Sequence, residues 1–167
     1  EQTMTELVDL ARRCSSGMNL QPLRYRILSA AADIGKMLNN CRFASSLGIK
    51  LPPENGRPTG FILIFEDKAT ESPATLALKD AGIAAATILL AATERGFGGC
   101  MLGSFDPARL NADFEIPDRY TPLLAIALGK PAETVVLTDA HGGSLRYYRD
   151  EAGIHYVPKR GLKEVLI

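Results

Sequence analysis

Arg12-Arg13-Cys14-Ser15-Ser16-Gly17-Met18-Asn19-Leu20-Gln21-Pro22-Leu23-Arg24-Tyr25 separates a segment of helical periodicity from one of strand periodicity. Before it, Leu7, Leu10, Ala11 and Cys14 recur at helical spacing, and Thr3 and Glu6 have capping-box spacing, so a first helix is expected to run to about Arg13. After it, Leu23, Tyr25 and Ile27 alternate with Arg24 and Arg26, the pattern of a short strand with one wetter face. The bridge holds two hydroxyls, a glycine, two carboxamides and a proline. Such residues offer short donors beside a backbone free to turn, which suits a ligand better than packing. Arg12 and Arg13 complement the dipole of the helix they end, with phosphate binding as the other reading.

The totals exclude several classes. A chain of 167 residues predicts one domain over 1–167, large enough to bury roughly 70% of its unfolded surface. Lys+Arg and Asp+Glu both count 19, so no global field draws the chain to nucleic acid or an anionic membrane. Cys14, Cys41 and Cys100 are odd in number and widely spaced, which fits a reducing cytoplasm and forms neither a disulfide framework nor a metal pair. With only His141 and His155 besides, no metal site is expected. The most apolar run, Ala81 to Ala92, is shorter than the ~20 residues a bilayer demands, so a soluble protein is expected.

Further along, Ser29 can cap a second helix carrying Ile34, Met37 and Leu38, with its end at Asn39-Asn40 and a short helical piece from Arg42 to Leu47. Phe61 to Phe65 is a continuous apolar run, as in a strand buried on both faces. From Pro73 a long helix begins whose Ala81–Ala92 portion is polar only at Thr87, so nearly every side of it should face protein. Its small residues suit either the core of a monomer or a buried seam between two copies.

Gly96-Phe97-Gly98-Gly99-Cys100-Met101-Leu102-Gly103 is not a dinucleotide fingerprint, because methionine holds the third glycine's place and a helix, rather than a strand, precedes it. The glycines suit a helix C-cap and strand entry. Cys100 reads better as a small packed residue than as a nucleophile, since nothing basic adjoins it. Asp106-Pro107 opens a short helix, Leu123 to Leu128 reads as a buried strand, and the strand-helix-strand order implies crossover connections. Asp139 to Gly143 reads as a loop, and Asp150-Glu151-Ala152-Gly153 as the turn of a hairpin. Lys159 and Arg160 near the end are, on spacing alone, either a solvated pair or a phosphate site.

The loop Ser15-Ser16-Gly17-Met18-Asn19-Leu20-Gln21-Pro22-Leu23 resembles the P-S-x-x-N-x-Q-P-W segment of the FMN-dependent nitroreductase family, with Ser15 for proline and Leu23 for tryptophan. The apolar helix running into Gly98-Gly99, the strand ending Leu128-Gly129-Lys130-Pro131, and the terminal Pro158-Lys159-Arg160 resemble the same family in order and spacing. The resemblance implies an α+β fold, an α/β/α sandwich with a mostly antiparallel central sheet, as an intertwined homodimer with FMN at the subunit interface. It implies Arg160, Lys159 and the Ser16 hydroxyl on the phosphate, Asn19 and Gln21 on the ring or ribityl chain from the partner subunit, and backbone N–H groups of Gly98, Gly99 and Cys100 along the ring. Family members usually begin with an R-R-S-x-R segment that also clamps phosphate; residue 1 here corresponds to the helix after it, so either that segment lies outside these residues or flavin is held more weakly.

The implied activity is FMN-dependent NAD(P)H oxidation, with NADPH or NADH as reductant and a nitroaromatic, quinone or similar flat acceptor reduced by a ping-pong mechanism. No catalytic acid or base is required of the chain, because the flavin carries the chemistry. Two alternatives remain open: a relative that binds flavin or another ligand without turnover, and an interaction scaffold on the same fold.

Overall fold

The computed structural model describes residues 1–44 and 51–167. It divides into two units, one of Glu1–Phe43 with Leu51–Pro131, the other of Ala44–Lys50 with Ala132–Ile167. The helical piece expected at Arg42–Leu47 falls partly outside the described residues; Arg42 to Ala44 are not helical.

The first unit is built on α1 (Gln2–Ala11), β1 (Leu23–Leu28), α2 (Ala31–Asn40), β2 (Gly60–Asp67), α3 (Ala74–Glu94), β3 (Gly98–Leu102), α4 (Pro107–Asp113) and β4 (Tyr120–Gly129). Its four strands form one sheet in the order β1-β2-β4-β3, every neighbouring pair antiparallel. Strand β2 lies inside the sheet, which is why Phe61 to Phe65 are all apolar and at most 3% exposed. Burial of each such side chain contributes about 1.5–3 kcal/mol. Alternation divides them between two cores. Ile62 and Ile64 meet α1 and α3 through Leu7, Ala81, Ala85 and Ile88, whereas Phe61, Leu63 and Phe65 meet Met37 of α2 and Leu110 of α4. A sheet between two helical layers is the α/β/α arrangement, with the antiparallel sheet the sequence implied.

Several local expectations change. Helix α1 starts from Glu1 without a side-chain cap, so Thr3 sits inside the helix and forms no capping box with Glu6. The residue ahead of α2 is Ala30, and Ser29 instead lies 3.4 Å from Glu1 Oε2. Strand–helix–strand order gives one crossover and two direct returns: β2 and β3 run parallel with β4 between them, so α3 carries the chain over β4, whereas β1-α2-β2 and β3-α4-β4 each join adjacent antiparallel strands. Asp106 caps α4 as expected, accepting from the Ala108 and Arg109 amides.

Helix α3 is buried on one face only. Ala77, Ala81, Ala84, Ala85, Ile88 and Ala92 recur at helical spacing against the sheet and α1, their small side chains permitting close approach. The opposite face exposes Leu78, Ile83 and Leu90, contrary to a helix surrounded by its own chain. The Ala81–Ala92 run belongs to a 21-residue helix that is by length and composition apolar enough to cross a bilayer. After it, Gly96 at φ 75° ends the helix, and the Phe97 N–H returns to the Ala92 carbonyl.

The second unit contains a three-stranded sheet of β5 (Val135–Asp139), β6 (Tyr148–Arg149) and β7 (His155–Lys159), order β5-β7-β6, followed by the short α5 (Leu162–Val165). Strands β6 and β7 form the expected hairpin, with Arg149 opposite His155. Strand β5, parallel to β7, was not foreseen.

Candidate functional site in the loop before the first strand

Residues 16 to 21 leave α1 through a single 3-10 turn, Gly17–Asn19, and enter β1 past the buried Pro22. Within these few residues Met18 (φ 52°), Asn19 (φ 55°) and Gln21 (φ 50°) all take left-handed backbone. Each such non-glycine residue costs about 1–3 kcal/mol and persists only where its surroundings over-determine it. Those surroundings are specific. Ser16 Oγ donates to Asp80 Oδ2 at 2.6 Å, and the Gly17 N–H donates to Asp80 Oδ1 at 3.0 Å. Asp80 belongs to α3 and is 5% exposed.

Gln21 is held at both backbone groups. Its N–H donates to Ser16 Oγ at 2.9 Å, and its carbonyl accepts from Arg24 Nη1 at 3.1 Å. Arg24 also reaches the Leu23 carbonyl, and its Nη2 lies 2.9 Å from Asp67. Asp67 ends β2, is fully buried, and receives Nε and Nη2 of Arg119 at 2.5 and 2.7 Å and the Ala69 N–H at 3.1 Å. The Arg119 hydrogen bonds, then the Ala69 amide and the charges of Arg119 and Arg24, hold its carboxyl below the usual value of 3.8 against the opposing effect of burial. Behind the loop, burial pushes the Tyr25 phenol up to about 12, with Cys14 and Asp80 adding to the shift. Outward, the Asn19 and Gln21 carboxamides are exposed and 3.2 Å apart, Gln21 Nε2 donating to Asn19 Oδ1.

Ser16, Asn19 and Gln21 are thus brought together, but Ser16 differs from expectation. Its single proton is committed to Asp80, so it ties the loop to α3 and does not present a donor outward.

Gly98, Gly99 and Cys100 open β3, the edge strand of the sheet, where Gly99 and Cys100 are exposed. Strand β3 pairs on one side with β4, Gly98 opposite Gly129, Gly99 opposite Leu128 and Cys100 opposite Ala127. Glycine is required at 99: a Cβ there would lie 2.5 Å from the Ala127 carbonyl oxygen and 2.8 Å from Leu89 Cδ2. The loop and this strand sit at different levels of α3, one at Asp80 and the other at Leu89, about 14 Å apart along the axis at 1.5 Å per residue.

Lys159 and Arg160 lie in the second unit. Lys159 ends β7 opposite Asp139, and Arg160 Nη1 is 3.8 Å from Glu164 Oε1; both side chains are exposed. Among the described residues no cluster of metal-ligating groups occurs.

Within the first unit, the neutral Asn19 and Gln21 carboxamides are of a kind that matches a ring edge rich in carbonyl and imide groups. Within the second, the exposed Lys159 and Arg160 are cations of a kind that matches a phosphate.

Comparison with known proteins bears on the whole chain. Residues 50–130 match the model of the nitroreductase family. "Putative NAD(P)H nitroreductase YodC" of Bacillus subtilis (strain 168) is 25% identical over 158 residues, covering 78% of each chain. Among solved structures, a Desulfovibrio desulfuricans protein described as a "putative nitroreductase in complex with fmn" superposes with a TM-score of 0.73 at 22% identity, covering 100% of this chain and 83% of that one. A nitroreductase family protein of Streptococcus pneumoniae TIGR4 superposes with a TM-score of 0.69 at 16% identity over 84% of both chains. An FMN complex from Exiguobacterium sibiricum, also a "putative nitroreductase", gives a TM-score of 0.63 at 17% identity, covering 80% of this chain and 79% of that one.

Proposed function

We propose, for a chain whose residues 50–130 match the nitroreductase family model and whose fold superposes on solved nitroreductase-like structures, an FMN-dependent NAD(P)H oxidoreductase acting as a homodimer. The observation that carries this reading is the loop at 16–21, whose left-handed residues are fastened by buried carboxylates while its Asn19 and Gln21 carboxamides remain exposed. Backbone strain so maintained, with polar groups turned outward, is characteristic of ligand clamps.

When bound, FMN supplies the electron and hydride transfer, and the chain supplies binding and orientation. Asn19 reaches the ring or ribityl chain, with Gln21 beside it. Backbone N–H groups near Gly98, Gly99 and Cys100 would serve the polar edge of the ring, the placement in which preorganised dipoles stabilise negative charge. Arg160, with Lys159, holds the phosphate through charge-assisted bonds contributing about 1.5–3 kcal/mol each. Ser16, its proton taken by Asp80, acts on the loop and not on the phosphate.

The separation of loop and strand along α3 supports a site to which one copy contributes Asn19 and the other contributes the β3 edge. The exposed Leu78, Ile83 and Leu90 face supports α3 as the seam between them. The printed name of the Bacillus relative supports NADPH or NADH as reductant. Flat nitroaromatic or quinone acceptors, taken in alternation with the nicotinamide, complete the reading, in a soluble cytoplasmic enzyme.

Absorbance of the purified protein tests this. A yellow protein is expected whose flavin bleaches on anaerobic NADPH or NADH and recovers on addition of a nitroaromatic, with ping-pong steady-state kinetics. Protein that is colourless and takes up no added FMN overturns the reading; flavin that binds but resists both nicotinamides reduces it to a binding relative.

A further inference from the structure

Two buried carboxylates from different elements converge on one exposed residue. Asp80, from α3, takes the Ser16 hydroxyl proton, and the same Ser16 oxygen receives the Gln21 N–H. Asp67, at the end of β2, orients Arg24, and Arg24 Nη1 donates to the Gln21 carbonyl. Both carboxylates are buried, Asp80 at 5% exposed and Asp67 fully. Holding both backbone groups of a residue at φ 50° is a means of fixing a conformation the chain would otherwise leave.

Resting on the flavin reading above, we infer that Asp80 is a positioning residue for the cofactor: through Ser16 and Gly17 it keeps Met18 to Gln21 in the binding conformation before flavin arrives, with Arg24 on Asp67 as the second fastening. Two acceptor oxygens are what the geometry demands. Two donors, the Ser16 O–H and the Gly17 N–H, meet its two oxygens, and a carboxamide there would turn an NH2 group toward one of them. Affinity for a ligand falls in proportion to the fraction of protein holding the competent loop, so freeing the loop weakens flavin without removing any atom that touches it.

The test compares full-length wild type with Asp80→Asn, and with Arg24→Met as a second variant acting from the opposite side should the first not fold. Hydrogen exchange of residues 15–23 in flavin-free protein reports loop order, and quenching of FMN fluorescence reports affinity. Exchange in that segment about tenfold faster, confined to it, with an FMN Kd raised about tenfold, is the expected result. Adding Met18→Gly to Asp80→Asn recovers part of the affinity, because glycine takes left-handed backbone without strain. Faster loop exchange with unchanged FMN affinity, or weaker affinity with unchanged exchange, overturns the positioning role while leaving the flavin reading intact. Wild-type protein that binds no FMN overturns both.

Discussion

Asp67 and Arg119 form a two-pronged ion pair, Nε to Oδ1 at 2.5 Å and Nη2 to Oδ2 at 2.7 Å, with the carboxylate fully buried and the arginine about half exposed. Because the folded-state carboxyl titrates below its ordinary 3.8, its stabilising contribution is fully present above that value and is lost as pH falls through the depressed one. Replacing Asp67 by Asn removes this titration. Thermal midpoints of the two proteins should differ by a constant amount from pH 7 down to about 4 and converge only below it. A gap that closes at higher pH would place the responsible group elsewhere.

Gly99→Ala forces a methyl group to within 2.5 Å of the Ala127 carbonyl and 2.9 Å of Leu128 Cδ2. Backbone on one side and packed side chains on the other leave little room to relax, so chemical denaturation should show a loss of about 1–3 kcal/mol. If flavin lies along β3, affinity declines with it.

Leu90 is 75% exposed and has no part in the core of one chain. If α3 is the seam of the proposed homodimer, Leu90→Arg should leave the circular dichroism spectrum unchanged while raising the dimer dissociation constant at least tenfold, as expected of a charge placed in an apolar seam. Light scattering that still reports a dimer at low micromolar protein would remove α3 from the interface.

Cys41 is buried, and burial pushes its thiol up to about 11. Alkylation at pH 8 followed by mass spectrometry should modify the exposed Cys100 well before Cys41, with Cys41 reacting only after denaturant is added.

The parts of the fold legible in the sequence are those whose burial is two-sided or whose turn chemistry is local. Phe61 to Phe65 could only be an inner strand, and Gly96 at the end of an apolar helix could only be its stop. Strand β5 was missed because Val135 to Asp139 are exposed and half-buried in alternation without a flanking glycine, and their ladder partner lies in β7, a distant pairing that periodicity does not reveal. At the site, the loop was found from its residue types, yet both carboxylates that fasten it were not. Asp80 carried a signal, being the single acidic residue between Glu71 and Glu94, in a helix whose interior is otherwise charged only at Lys79. Arg24 carried none: it read as the wet face of a strand, and only the register of β1 against the end of β2 brings it to Asp67.

Strand β3 hydrogen-bonds to β4 and to no other strand among the described residues, and β4 follows it in the chain. During synthesis, residues 98–102 therefore emerge with no ladder to join until residues 125–129 have left the ribosome. This edge is completed last within its unit, so a nascent chain holds residues 16–21 and both partners of the β1–β2 pair before it holds the outermost ribbon of the sheet.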